Sequence, residues 1–237
     1  MKSEGLNPRL SCAAGFVRQG AVFADIGTDH AYLPLFLLEK GRIARAVCSD
    51  INEGPLDSAR RNAAERGLFD RCEFVLTDGA EKALSYGVTD VAICGMGGEL
   101  IADIIKRAGG LYDPKMRLIL QPMTRQAHLR SFLLREGFRI VREGYSREGG
   151  RFYLCIVAEY VGECREISEI VAEVGECTEI VNKSAHTGYL KAKKSALEKA
   201  IRGRGIGGTV TEFDREILSA IDEKIRELEK GENENDG

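Results

Sequence analysis

Three carboxylates sit close to glycine-bearing turns early in the chain. Asp25 and Asp29 bracket the turn in Asp25-Ile26-Gly27-Thr28-Asp29-His30, and Asp50 ends an apolar run about 20 residues further on. Gly27 allows a tight bend and brings backbone close to a ligand. The pattern lacks the second and third glycines of a pyrophosphate-binding GxGxxG loop, and Asp25 and Asp29 repel a diphosphate. A dinucleotide is therefore disfavoured. A cationic cofactor bearing an amino acid is favoured, because carboxylates pair with ammonium and sulfonium charges. S-adenosylmethionine meets that description.

Asp50 stands where an acid accepts hydrogen bonds from both hydroxyls of a ribose, the competing role being a cap on the turn into the next helix. Asp78-Gly79 follows the third apolar run, where it would lie beside an adenine; alone the dipeptide is a turn signal. Gly95-Met96-Gly97-Gly98 follows the fourth. Its glycines either leave room for a second planar group or make a tight strand-to-helix turn. Neither the Asn/Asp-Pro-Pro-aromatic tetrapeptide of amino-purine N6 chemistry nor a proline-flanked cysteine for cytosine C5 chemistry is present, which demotes both reactions.

The elements that position these residues alternate. Strand-like runs at 22–27, 44–50, 72–76, 90–95 and 116–122, the last closed by Pro122, are separated by helical patterns at 32–39, 55–66, 98–108 and 126–136. Two more strands, Phe138–Glu148 and Arg151–Tyr160, flank a Gly149-Gly150 hairpin turn. Such alternation means an α/β fold, a mostly parallel sheet with helices on both faces, and the terminal hairpin adds one antiparallel strand. This resembles the Rossmann-like, seven-stranded sheet of class I methyltransferases and differs from the all-parallel dehydrogenase fold. Ligands in such folds bind beyond the carboxyl ends of the strands, where strand order reverses, which is where the aspartates fall.

Beyond about residue 161 the strand-like runs stop, and residues 162–181 carry no placeable periodicity. Tyr189–Arg202 reads as a helix with Leu190, Leu197 and Ile201 on one stripe, broken by glycines at 203, 205, 207 and 208. Thr211 caps a second helix, with Asp214 in its first turn and a stripe of Phe213, Ile217, Ile221, Ile225 and Leu228. The expected organisation is a cofactor-binding domain over 1–160, a C-terminal helical, coiled-coil-like hairpin over 161–230 and a disordered tail over 231–237.

Composition narrows the function classes. The net charge of −3 argues against a globally basic nucleic-acid coat. The charge is uneven, with seven basic residues against one acid from Lys183 to Arg204 and ten acids against four bases from Glu212 onward. A local basic patch can hold phosphates on an acidic molecule. The seven cysteines show no metal-type spacing, and Cys48, Cys94 and Cys155 lie in strand-like runs, so they read as small buried thiols of a reducing cytosol. No metal site, signal peptide or membrane span is expected, and the protein is read as cytoplasmic.

Taken in order, DIGTDHAYLP (25–34), Asn52-Glu53-Gly54-Pro55-Leu56 and GMGGELI (95–101) resemble the bacterial tRNA (adenine-22-N1)-methyltransferase family over roughly residues 5–160. Thr28 stands where serine is commoner, which keeps the hydroxyl. The resemblance implies cofactor contacts at Asp25, Gly27, His30, Asp50, Ile51, Asp78, Gly79 and Gly95. It implies a target-base pocket at Asp29, Gly95, Met96, Gly97 and Gly98, a tRNA substrate and a C-terminal helical domain. Asp29 is the expected catalytic residue, accepting a proton from N6 of the methylated adenine, against a structural role as a helix cap. Lys191, Lys193, Lys194 and Arg202 are expected to hold tRNA phosphates, against an ordinary solvated helix face, with Tyr145, Arg147 and Tyr153 as further RNA contacts. The protein is expected to act as a monomer or weak dimer. The rival readings are a small-molecule methyltransferase and a non-catalytic RNA-binding module.

Overall fold

The computed structural model describes residues 5–203 and 210–233. Its first helix, α1 (Pro8–Phe16), is not announced by periodicity, but its start is written in the residues. Asn7 accepts a bond from the Leu10 amide at 2.9 Å, and Pro8 occupies the first turn, where a missing N–H costs nothing.

The expected alternation follows. β1 (Val22–Ile26), α2 (Tyr32–Glu39), β2 (Arg45–Asp50), α3 (Glu53–Glu65) and β3 (Cys72–Leu76) lead through the short α4 (Glu81–Leu84). β4 (Asp90–Gly97), α5 (Gly98–Arg107), β5 (Arg117–Thr124) and α6 (Gln126–Arg135) complete the series. Pro122 does not close the fifth strand, which continues to Thr124. Pro122 lies level with Met96 at a register shift in the β4–β5 ladder, where a residue with no N–H is tolerated.

β6 (Phe138–Glu148) and β7 (Arg151–Tyr160) form the hairpin, with Gly149 and Gly150 at φ +55° and +79°, the mirror-image turn whose twist matches the strands. The sheet order is β3-β2-β1-β4-β5-β7-β6-β8, with β7 antiparallel to both neighbours. The eighth strand, β8 (Ile180–Val181), pairs in parallel with β6 and extends the expected seven by one short edge. Alternate residues feed two cores. Ala24, Ile93 and Leu120 face one, while Phe23, Ala92 and Ile119 face the other.

Residues 162–181 contain α7 (Glu169–Val174), capped by Ser168, as well as β8. α8 (Lys183–Gly203) begins at Lys183 rather than Tyr189, because Asn182 caps it through the Ala185 amide at 3.0 Å. α9 (Glu212–Asn233) begins with a reciprocal box, in which the Thr211 amide donates to Asp214 at 3.0 Å and the Asp214 amide donates to Thr211 Oγ1 at 3.1 Å. Ile217, Ile221, Ile225 and Leu228 are buried, but Phe213 is 41% exposed and does not join the stripe. The ion pairs Lys191–Glu229 and Lys194–Asp222 run in opposite chain directions, so α8 and α9 pack antiparallel. Gly205, Gly207 and Gly208 lie outside the described residues. α9 reaches Asn233, inside the segment expected to be a disordered tail, and 234–237 also lie outside the description.

A buried polar cluster joins these helices to the sheet. Arg130 Nε donates to Glu143 at 2.7 Å with both side chains almost fully buried, and Arg130 Nη1 donates to the Ala172 carbonyl of α7 at 2.9 Å. Tyr145 donates to Glu143 at 2.7 Å, and His186 of α8 stacks on the Tyr145 ring at 4.0 Å. Among the described residues no helix is long and apolar enough to cross a membrane, and no group of three or more His, Cys, Asp or Glu is placed to hold a metal ion. The cysteines are free; Cys48, Cys72 and Cys155 are buried and Cys164 is exposed.

Candidate functional site

Strand order reverses between β1 and β4, and the sequence-predicted residues gather at the carboxyl ends of those strands. Gly27, at φ +74°, turns the chain back so that the amides of Gly27 and Thr28 both donate to the Ser49 carbonyl, at 2.8 and 2.9 Å. This crossing links the turn after β1 to the end of β2 and sets Asp25 beside Asp50. Asp25 is buried and accepts a bond from Thr28 Oγ1 at 2.8 Å. Burial pushes its carboxyl up to about 6, against the Thr28 hydrogen bond and the nearby Arg9 charge, while Asp50 and Asp29 add repulsion that raises it further.

Asp29 is 71% exposed at its side chain and lies in left-handed backbone at φ 49°, as does Ala31 at φ 57°. Two such non-glycine residues around His30 store strain of the kind found at ligand sites. Ala31 occupies the cap position of α2 and no side chain caps that helix, so Asp29 does not have the capping role. His30 Nε2 lies 3.5 Å from Asp29 Oδ1, and its ring leans on Tyr32 with centroids 5.2 Å apart. The His30 carbonyl accepts from Asn62 at 2.9 Å, which anchors the loop to α3.

Asp50 does cap the next turn, since its Oδ1 accepts from the Asn52 amide at 2.8 Å; no described residue bonds the other oxygen. Ile51 is 61% exposed, and Leu76, the register partner of Asp50, is 47% exposed, forming an apolar lip beside the carboxylate. Asp78 is held by both terminal nitrogens of Arg107, at 3.0 and 3.1 Å, a partner from α5 that strand-end reasoning misses. Gly79 beside it is buried.

The GMGG segment has two parts with different roles. Met96 places its terminal methyl where a Cβ on Gly27 would lie, so the two loops interlock. Gly95 is exposed and Gly97 partly so. Gly98 is buried. A Cβ there would strike the Arg125 carbonyl oxygen and come within 2.9 Å of the Thr124 carbonyl, so its lack of a side chain serves helix–strand packing rather than room for a base.

Arg9 and Gln121 also belong to this rim. Gln121 Oε1 accepts from Arg9 Nη1 at 2.6 Å and from the Gly95 amide at 3.1 Å. Arg9 comes from α1, far from any motif, and no spacing signals it; Gln121 lies inside β5, just before the register shift at Pro122. The three expected phosphate-holding lysines have partners within the protein. Lys191 pairs with Glu229 and Lys194 with Asp222, while Lys193 pairs with Glu173 and is only about a fifth exposed. Arg202 is exposed in the last turn of α8. Tyr145 is buried and unable to touch RNA, Tyr153 is half-buried, and Arg147 is exposed.

A family model described as a methyltransferase domain matches residues 6–156. The tRNA (adenine(22)-N(1))-methyltransferase of Bacillus subtilis is 36% identical over 154 residues, a match spanning 65% of each chain. A solved Streptococcus pneumoniae structure, described as a candidate tRNA (m1A22) methyltransferase in complex with S-adenosyl-L-methionine, is 33% identical with a TM-score of 0.77, covering 92% of this chain and 98% of that one. The B. subtilis m1A22 tRNA methyltransferase structure is 26% identical with a TM-score of 0.69, covering 96% and 99%.

Proposed function

The chain belongs to the tRNA (adenine-22-N1)-methyltransferase family of methyltransferase-domain proteins, and from that premise we propose that it transfers a methyl group from S-adenosylmethionine to N1 of adenine-22 in tRNA. The observation that carries this reading is the gathering of carboxylates at one rim, with Asp25 and Asp50 beside the Gly27 turn as a donor set for a cationic cofactor and Asp29 exposed at its edge toward the acceptor. The donor set suits a sulfonium-bearing amino acid and a ribose, and the lip of Ile51 and Leu76 suits an adenine face.

When bound, S-adenosylmethionine supplies an electrophilic methyl on a sulfonium. Asp25 would hold its ammonium end with the Gly27 turn, and the open oxygen of Asp50 its ribose. Asp78 and Gly79 would border its adenine, with Arg107 holding the Asp78 carboxylate in place. His30 braces the loop through Asn62 and lies against Asp29. The target adenine enters beside Gly95, Met96 and Gly97. In a duplex its N1 is occupied by pairing, so the base must leave the stack. Methylated at N1, the purine is cationic until N6 releases a proton, and Asp29, exposed and held by a strained backbone, accepts it.

The catalytic domain spans 1–160 and the helical domain 161–230. Reaction in the cytoplasm by a monomer or weak dimer completes the reading. Incubation with methyl-labelled donor and unmodified tRNA, followed by nucleoside mass analysis, tests it. One methyladenosine per tRNA is expected, and a transcript with guanosine at position 22 should accept none. Equal labelling of both transcripts refutes the assigned site.

A further inference from the structure

Two cavities lie side by side where α8 meets the sheet, and Phe152 lines both. One, of about 410 Å³, is bordered by Arg125, His128 and Lys193; the other, of about 560 Å³, by Arg147 and Lys191. Strand direction fixes where they open. β7 runs antiparallel to β5, with Leu120 level with Ile156, so the first residues of β7 lie toward the carboxyl end of β5. Phe152 therefore stands toward the same rim as the aspartates, and it lines one cavity together with Arg125, the residue after β5. The groove begins beside the loop assigned to the target base and runs away from the donor.

Its chemistry is that of a site for a single nucleic-acid strand. Arg125 and Lys193 face Glu173 in one half, and Arg147 and Lys191 face Glu229 in the other, leaving one cation in excess in each. The lysines are the ones held by those acids, so a ligand meets Arg147 directly and Arg125 by displacing its exposed pairing with Glu99. Arg147 lies 5.5 Å from the Phe152 ring centroid, and a guanidinium beside an aromatic face matches a phosphate next to an unstacked base. Arg125 is 69% exposed at its side chain, with a 3.4 Å pairing to Glu99, and is held in left-handed backbone at φ 57° just before α6. Strain of that kind concentrates at ligand sites. Gly188 lets α8 lie directly on the Phe152 ring, so one wall of the groove belongs to each domain.

We propose that this groove holds the RNA strand flanking the target adenosine, with phosphates on Arg125 and Arg147 and an unstacked base on Phe152. The proposal rests on the reading that the methyl acceptor is tRNA. The helical domain then acts by shaping one wall of the groove, not through a row of free lysines.

The test uses the full chain with Arg125→Gln and Arg147→Gln, singly and together. Affinity for unmodified tRNA is measured by filter binding across a salt series, and affinity for S-adenosylmethionine alone by calorimetry. The double variant should bind tRNA at least about tenfold more weakly, with a salt slope smaller by about 2, while donor affinity stays unchanged. A tRNA carrying photoreactive 4-thiouridine near position 22 should crosslink to the peptide containing Phe152, a readout that needs no variant to fold. If wild type methylates tRNA and the variants bind it as tightly with the same salt slope, the groove assignment is overturned and the function stands. If wild type neither binds nor methylates tRNA, both fall.

Discussion

Replacing Asp25 with Asn should stabilise the protein while removing its hold on the donor. Asp25 is buried, and its carboxyl is raised from 3.8 to about 6, chiefly by desolvation. A raised folded-state value means that folding favours the protonated form. The stabilisation this brings is fully present below pH 3.8 and is lost as pH rises through about 6. At neutral pH the ionised carboxylate therefore costs about 3 kcal/mol. Asn has the same shape, accepts the Thr28 hydroxyl equally well and carries no charge. Urea unfolding without ligand at about pH 7.5 should find Asp25→Asn more stable by about 2–3 kcal/mol, an advantage that shrinks to about 1 kcal/mol at pH 4.5. The comparison must be between variant and wild type. Burial pushes the His186 imidazole down to about 4, so its contribution falls as pH drops from 6.5 toward that value and masks Asp25 in the wild-type curve alone. Calorimetry should show at least a tenfold loss of S-adenosylmethionine affinity in the same variant. No gain in stability at neutral pH would refute the desolvation argument, and an undiminished donor affinity would remove Asp25 from the binding site.

Three other expectations follow from the same contacts. Asp29→Asn should fold normally, because Asn tolerates left-handed backbone as Asp does, and should bind the donor as wild type does while turnover on tRNA drops about 10²–10⁴-fold; unchanged single-turnover rates would exclude Asp29 from proton transfer. Gly98→Ala should cost about 1–3 kcal/mol in urea unfolding, since its methyl meets backbone carbonyls of Thr124 and Arg125 that cannot step aside, and a neutral result would mean that α5 shifts freely. Glu143→Gln leaves Arg130 charged and buried without its partner, so the urea midpoint should fall by the equivalent of about 3–5 kcal/mol; a loss below about 1 kcal/mol would show that water reaches the cluster.

Local patterns in the residues carry most of the fold. Apolar runs ending in, or soon followed by, glycine or aspartate place β1 to β4 to within about two residues, and Gly149-Gly150 marks the hairpin turn. The Thr211–Asp214 spacing marks the start of α9. What escapes detection is whatever depends on a distant partner. Pro122 looks terminal in one dimension, and only the irregular β4–β5 ladder explains its tolerance. α7 and β8 are too short to show a period and exist because they pack on α6 and β6. The same division holds at the site. Asp25, Asp29 and Asp50 are legible because each lies at or just past the carboxyl end of a strand, whereas Arg9 and Arg107 reach the rim from helices whose sequence distance carries no signal.

The lysines of α8 show what composition alone leaves out. Seven bases against one acid over 183–204 looks like an RNA grip, and three of them, Lys191, Lys193 and Lys194, pair with acids of α9 and α7. A charge run on one helix is informative only after its antiparallel neighbour is known, because an amphipathic pair neutralises itself across its seam. Among the residues lining the two cavities, the positive charge not matched by a lining acid falls on arginines that no run marks, Arg125 just after β5 and Arg147 near the hairpin turn. Both lie at the rim where the carboxylates gather. On the proposed assignment, carboxylates for a cationic donor and guanidinium groups for an anionic acceptor lie along one sheet edge, with the GMGG loop between them. A methyl acceptor drawn by the arginines would then be delivered to the donor's side of that loop, so that charge separation orients the acceptor before any base-specific contact forms.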